Sequence, residues 1–286
     1  MTARRTPPVD FTTITYETIA GESFAPVARI TLNRPERTNA ISATMLDELA
    51  RAMDAAEADA AVRAVIVRGA GTAFSSGFDL KDQMALRPEG VSQWRPILRK
   101  DFDVPMRFWH CPKPTVAAVR GPCLAGACEL ALACDLTVAA DDAFFGEPEL
   151  KFGAGIVVML LPWIVGPKIA KEIILTGEDR VPARRAYEIG MVNRVVPAAD
   201  LDAAALRLAR HIAAIDPNLV KETKRAINRQ IEARGMLEAL ETALDIDLLI
   251  EGEGSPDKRA FMDIARSQGL KAALAWRDSR FPGADA

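Results

Sequence analysis

Residues 121–135 read Gly-Pro-Cys-Leu-Ala-Gly-Ala-Cys-Glu-Leu-Ala-Leu-Ala-Cys-Asp, and how this stretch is read decides the fold. A strand-like run, Thr115-Val-Ala-Ala-Val-Arg120, enters it through a Gly-Pro turn. After Gly126 the residues are Ala, Cys and Leu apart from Glu129, and a helix apolar all round is a buried helix. A carboxylate in its first turn therefore needs an explanation, because burying one without a partner is costly. Two readings compete. With Gly126 as N-cap and Glu129 at N3, the carboxylate would serve the free N–H groups and the macrodipole of the helix start. Alternatively Glu129 is a catalytic acid or base tuned by burial. The window alone favours the capping reading.

Outward from this stretch the pattern alternates. Phe11 to Tyr16 and Ala28 to Leu32, with Gly21 between them, read as a β-hairpin. Asn33 to Ala40 is a loop, and Ser42 caps a helix carrying Leu46, Leu49 and Met53 on one face. Val62 to Arg68 is a buried strand. Ala73 to Lys81 is a small-residue loop leading into polar, mobile sequence as far as Gly90, ahead of a helical region over 91–109. Leu136 to Ala140 is a further strand, and Ala143-Phe-Phe-Gly-Glu-Pro-Glu-Leu150 follows. Strand and helix in alternation predict an α/β fold with mostly parallel pairing. From Leu201 the chain turns helical: Asp216-Pro217 opens one helix, Gly235 ends it, Leu237, Leu240, Leu244 and Leu248 stripe the next, and Phe261 to Arg280 is a last helical pair.

Composition excludes several classes. With 49% hydrophobic residues, 26% charged and a net charge of −3, the chain has no electrostatic footprint for nucleic acid or an anionic membrane. No apolar span reaches membrane length. Met1 to Pro8 lacks the apolar core of a secretory signal, so a cytoplasmic protein is expected. Cys111, Cys123, Cys128 and Cys134 contain no C-x-x-C pair and read as small buried hydrophobes in a reducing compartment. The two histidines, His110 and His211, exclude a histidine-rich metal site.

Three segments carry the chemistry. Ser76-Gly-Phe-Asp-Leu80 is a glycine turn able to aim a backbone N–H outward, and Leu124-Ala-Gly-Ala-Cys-Glu129 aims another from a helix start. Gly146-Glu-Pro-Glu-Leu150 adds a second carboxylate, Glu149. Two N–H donors around one oxygen make an oxyanion hole, and two carboxylates beside it suit enolate chemistry next to a thioester carbonyl.

These segments, with Asn33-Arg-Pro-Glu-Arg-Thr-Asn-Ala-Ile41, Lys113-Pro-Thr-Val-Ala-Ala-Val-Arg-Gly121 and Ala186-Tyr-Glu-Ile-Gly-Met-Val-Asn-Arg-Val-Val-Pro197, closely resemble the enoyl-CoA hydratase/isomerase (crotonase) family from Tyr16 to Phe281. The resemblance implies a crotonase-like spiral of ββα units over 11–200, preceded by a flexible arm over 1–10. A C-terminal helical trimerisation region over 201–286 would follow, giving a homotrimer or a dimer of trimers. It implies oxyanion-hole donors at Phe78 and Gly126, with Glu129 activating water for attack at C3 and Glu149 delivering a proton to C2. Arg37, Ala40, Ser76, Asp79, Leu80 and Lys81 match positions that frame CoA, and Arg277, Arg280 and Phe281 match a C-terminal CoA contact. CoA arrives as part of the acyl-CoA substrate, so no metal and no separate cofactor are expected.

Family isomerases generally keep only the second acid, so the pair points to an enoyl-CoA hydratase, with a double-bond isomerase or another crotonase-type lyase as the alternative. A serine thioesterase built on Ser75 and His211 is the remote one. Glu147 is either a third active-site carboxylate or exposed, with exposure favoured, and His110 is expected to be structural. The chain departs from the family after Gly155, where Ile156-Val-Val-Met-Leu-Leu161 replaces smaller residues and implies a different acyl-pocket wall.

Overall fold

The computed structural model describes residues 10–21 and 24–281; of the expected arm, residues 1–9 lie outside them. The hairpin comes first, as β1 (Ile14–Gly21) antiparallel to β2 (Phe24–Leu32). Its opening strand starts three residues later than the Phe11 expected from the sequence. Ser42 Oγ accepts the Met45 N–H at 3.1 Å and starts α1 (Ala43–Ala58), whose buried face includes Leu46, Leu49 and Met53 as the spacing requires. Then come β3 (Ala64–Gly69), α2 (Leu80–Leu86), α3 (Gly90–His110), β4 (Thr115–Val119), β5 (Pro122–Leu124) and α4 (Gly126–Ala133). The polar segment before Gly90 contains α2, which the Asp79 carboxylate caps by accepting the Lys81 N–H at 3.0 Å.

The middle of the chain supplies β6 (Leu136–Ala140), β7 (Phe144–Gly146), α5 (Leu161–Val165), α6 (Pro167–Thr176), β8 (Val181–Pro182), α7 (Ala183–Glu188) and β9 (Arg194–Val196). The tail is helical, with α8 (Leu201–Ala213), α9 (Pro217–Glu232), α10 (Met236–Glu253), α11 (Pro256–Gln268) and α12 (Leu270–Ser279). Gly235, expected to end α9, sits at φ +95° and opens α10 instead.

The strand order β1-β2-β3-β4-β6-β9 is parallel from β2 onward. A second sheet, β5-β7-β8, is reached one short strand at a time: Ser75 bridges Cys123, and Cys123 pairs with Phe145. Each turn of chain therefore lays a long strand in one sheet and a short one in the other before its helix, which is a spiral of ββα units. The face of the large sheet bearing Ile30, Val65, Val67 and Ala117 packs under α1, α3 and α4. The opposite face, with Val27, Ile66, Val116 and Val138, is covered by α8 through Ala204, Ala205 and Ala209. Strands covered on both faces read as continuous apolar runs, which explains the unbroken Val62–Arg68 and Thr115–Arg120 signals. All four cysteines are free and buried.

Candidate active site

The site forms where two close approaches of backbone meet. At the first, Ile41 N–H donates to Gly77 O (2.8 Å) and Asp79 N–H donates to Ile41 O (2.9 Å). In this parallel bridge the residue between, Phe78, turns its own N–H to the opposite side. At the second, Ala125 leaves β5 at φ +54°, ψ −138°, held by its N–H bond to Gly146 O (2.9 Å). Gly126 then begins α4, where an N–H has no acceptor within the helix. Both glycines are required. A Cβ on Gly77, already at φ +90°, would press on Ala125 Cβ and Leu124 O and lie 3.4 Å from Gly126 N. A Cβ on Gly126 would overlap the Phe78 ring. The turns bearing the two free donors are thus packed against each other.

One turn along α4, Glu129 is 1% exposed. The capping reading fails here. Ala125, not Gly126, is the N-cap, and no side chain caps this helix. Glu129 reaches away from its own helix start, and its Oε1 accepts the Val158 N–H at 2.9 Å while Oε2 has no partner. The bulky segment after Gly155 thus has a definite role. Val158 orients Glu129 with its backbone, Ile156, Val158 and Leu160 fill the core, and Val157 faces the cleft.

Glu149 begins a short 3-10 turn over Glu149–Phe152, and Ala154 N–H donates to its backbone O at 3.1 Å. Its side chain is buried, with Oε2 unpartnered. Glu147, expected at the surface, is 1% exposed. The reason is its place beside β7, which is enclosed by β5 and β8: Glu147 N–H donates to Glu178 O at 2.9 Å, pinning the chain so that the side chain faces inward. Oxygens of Glu129, Glu147 and Glu149 all lie within 4.8 Å of one another.

Three buried carboxyls this close cannot all ionise. Burial raises Glu149 well above the carboxylate range, and the charge of Glu129 adds to it. Burial likewise raises Glu147, followed by the charges of Glu149 and Glu129. Burial raises Glu129 too, opposed by the Val158 N–H and reinforced by Asp247 and Asp101. The trio therefore holds shared protons at neutral pH and titrates as one unit.

A cleft of about 450 Å³ reaches Glu149, with Glu129 and Glu147 buried behind it. Arg37, Ala40, Ser76, Phe78, Asp79, Leu80 and Lys81 all line it, so the N-terminal residues matched to CoA are brought together, whereas of the C-terminal set only Arg277 joins them. Asp79 is committed structurally, its carboxylate paired with Arg34 at 2.9 Å besides capping α2. Arg277 also lines the cleft and lies 3.8 Å from Asp179, whereas Arg280 pairs with Asp257 (2.9 Å) outside it. The Phe281 ring lies 5.8 Å from Lys151 Nζ.

Ser75 is wholly buried and its Oγ accepts the Gly77 N–H at 3.2 Å, while His211 is exposed on α8. No serine–histidine pair is assembled. His110 is exposed at the end of α3, away from the carboxyls. The sequence reading did not single out two acids of the lining, Asp247 and Glu251 on α10. Their signal was their place on the face that carries Leu240, Leu244 and Leu248.

A sequence-family profile for Enoyl-CoA hydratase/isomerase matches residues 22–251. The chain is 33% identical over 262 residues to the short-chain-enoyl-CoA hydratase of Clostridium acetobutylicum, covering 87% of this chain and 96% of that protein. It is similar to the crystal structure of an enoyl-CoA hydratase/isomerase from Xanthobacter autotrophicus Py2, with TM-score 0.93 and 76% identity over 96% of this chain and 100% of that one. An enoyl-CoA hydratase structure from Mycobacterium smegmatis gives TM-score 0.86 at 30% identity, covering 97% of this chain and 98% of that one.

Proposed function

We propose, from the premise that this chain belongs to the enoyl-CoA hydratase/isomerase family, that it adds water reversibly across the C2–C3 double bond of an enoyl-CoA thioester. The observation that carries this reading is the burial of Glu129 and Glu149 together, one anchored by the Val158 N–H, at the start of a cleft beside two unspent backbone donors.

The thioester carbonyl oxygen sits between the Phe78 and Gly126 N–H groups. Each such donor is worth roughly 10²–10³ in rate, because it meets the charge that develops on the oxygen as the enolate forms. Polarisation makes C3 electrophilic. Glu129, raised to about 8 and so the readiest of the trio to ionise, is oriented by Val158 and in its ionised form takes a proton from water as the water oxygen attacks C3. Glu149, protonated, then gives its proton to C2 as the enolate collapses. One proton enters the trio and one leaves, so the site is restored with the charge it began with. Glu147 holds its proton and donates toward Glu149.

At the cleft mouth, Arg37 and Lys81 are exposed cations suited to the CoA phosphates, while backbone from Ala40 to Leu80 frames the rest. The chemistry asks for no metal and no cofactor beyond the CoA of the substrate. No described helix is long and apolar enough to cross a membrane.

The α9 helix supports assembly of copies into a trimer or a dimer of trimers. None of its residues is buried, yet it exposes Leu219 and Ile227, and α10 exposes Ile246, Leu249 and Ile250. An amphipathic helix without a core of its own is stabilised by covering that face.

The test is Glu129→Gln and Glu149→Gln assayed on crotonyl-CoA. A general acid or base contributes about 10²–10⁴, and each variant is expected to lose that much in kcat. If both stayed within tenfold of wild type, the assignment would be wrong.

A further inference from the structure

The cleft wall contains a charged side chain that the hydration chemistry leaves unused. Asp247 is 2% exposed, on the face of α10 that packs against the core through Leu240, Leu244 and Leu248. It lines the same cleft as Glu149, beside Gly155, Val157 and Leu98. Neither of its carboxylate oxygens completes a hydrogen bond within the described residues. Gly155 lies tightly against it: a Cβ there would collide with Oδ1, so the glycine makes room for the acid.

The surroundings do not satisfy Asp247. Lys258 pairs with Glu251, which also lines the cleft, and acts on Asp247 only through its charge. Asp101, facing α10 from α3, is itself acidic and adds repulsion. The Gly155 backbone N–H faces Asp247 and favours its ionised form without completing a hydrogen bond, and a buried carboxylate with no completed hydrogen bond is a standing cost to the fold. Its position in a ligand cleft means that a ligand can supply the missing donor. A cleft wall built for plain alkyl chains would gain from an apolar residue at this position, as at Leu98 and Val157 nearby.

From the unpartnered Asp247 carboxylate in the cleft wall beside Gly155, we infer that this site selects acyl-CoA substrates whose acyl tail carries a neutral hydrogen-bond donor, a hydroxyl group. This deepens the hydratase reading and rests on it for the placement of the acyl group in this cleft. A hydroxyl rather than an ammonium group fits because Lys258 already supplies positive charge next to the acid. A site that pairs a buried polar group with a substrate hydroxyl also rejects the substrate lacking it, since the acid is then left dry and unpaired.

The experiment uses the full chain and two ligand series that differ only at the terminal carbon. Saturated ω-hydroxyacyl-CoA and plain acyl-CoA thioesters of four to eight carbons are titrated by calorimetry. The matching 2-enoyl thioesters are followed for gain of water by mass spectrometry. Wild type is expected to bind the hydroxylated ligand at least tenfold more tightly at the length that reaches Asp247. Asp247→Leu is expected to reverse that preference. Asp247→Asn, which keeps the shape and one acceptor, is expected to retain part of it. Equal or weaker binding of the hydroxylated ligand at every length would overturn the inference, as would an unchanged preference in a folded Asp247→Leu. A binding preference without water gain in any enoyl thioester would sink the hydratase reading alone, leaving the assignment of Asp247 in place.

Discussion

Glu147 is the residue whose surroundings say most about how the site is tuned. It is buried, stacked against Glu149 and Glu129, and kept protonated by burial first and by its acidic neighbours second. A protonated carboxyl is a neutral donor, and a glutamine amide is the nearest mimic of one. Glu147→Gln is therefore expected to leave kcat within about fivefold and the pH profile in place. Glu147→Leu, which removes the donor next to Glu149, is expected to lower kcat at least tenfold and shift the profile. Rates measured across pH for the two variants check this.

The residue scale also shows where sequence reading stopped. Gly126 and Glu129 were legible, because a glycine before an otherwise apolar helix leaves one conspicuous acid. Glu147 was not: it flanks Pro148 just beyond three strand residues, and nothing in the sequence around it shows that β7 is enclosed by neighbours on both sides. Asp247 was hidden by its own helix, since a stripe of leucines draws attention to the residues it contains and not to the acid beside them.

At the scale of elements, the start of α4 stores strain. Ala125 occupies φ +54°, a region that disfavours any residue with a Cβ. The tertiary bond to Gly146 O holds it there, at the cleft wall, immediately before the helix start at Gly126. Ala125→Gly relieves the strain while adding chain entropy to the unfolded state, and the balance is expected to be about 1 kcal/mol of stabilisation, read as a higher midpoint in urea. Gly77→Ala is expected to go the other way. The new Cβ meets Leu124 O and Ala125, and Gly77 already stands at positive φ. The alternation of strands and helices was readable because both-face burial writes unbroken apolar runs. The short second sheet was not, since three-residue and two-residue strands carry too few positions to show a period.

Taken as a whole, the molecule carries two opposed dependences on pH. Glu48 is buried, and burial alone would raise its carboxyl. Hydrogen bonds from Thr13 and Thr12 outweigh that and bring it down to about 2. Its stabilisation is full above the ordinary carboxylate range near 4.5 and is lost as pH falls toward 2. Burial, chiefly, lifts Asp101 to about 7 and Asp247 to about 6, so their cost to the fold grows as pH rises from about 4 to 7. Thermal unfolding followed across pH is expected to show a maximum on the mildly acidic side. In Glu48→Gln the acid limb between about 4.5 and 2 should flatten while the limb above pH 4 persists. The order of strands and helices made the parallel α/β core legible at this scale, while its spiral form was legible only through the family resemblance. The apolar faces left open on α9 and α10 were legible only as amphipathic stripes, because a sequence does not say which surface a second copy covers.

Hydration, isomerisation and hydrolysis differ in which bonds of the substrate change. Crotonyl-CoA incubated with the protein in deuterium oxide and analysed by mass spectrometry and NMR decides among them. The expected product has gained one water, with oxygen on C3 and a single deuterium on C2. An isomer with no added water, or release of free CoA, would contradict hydration.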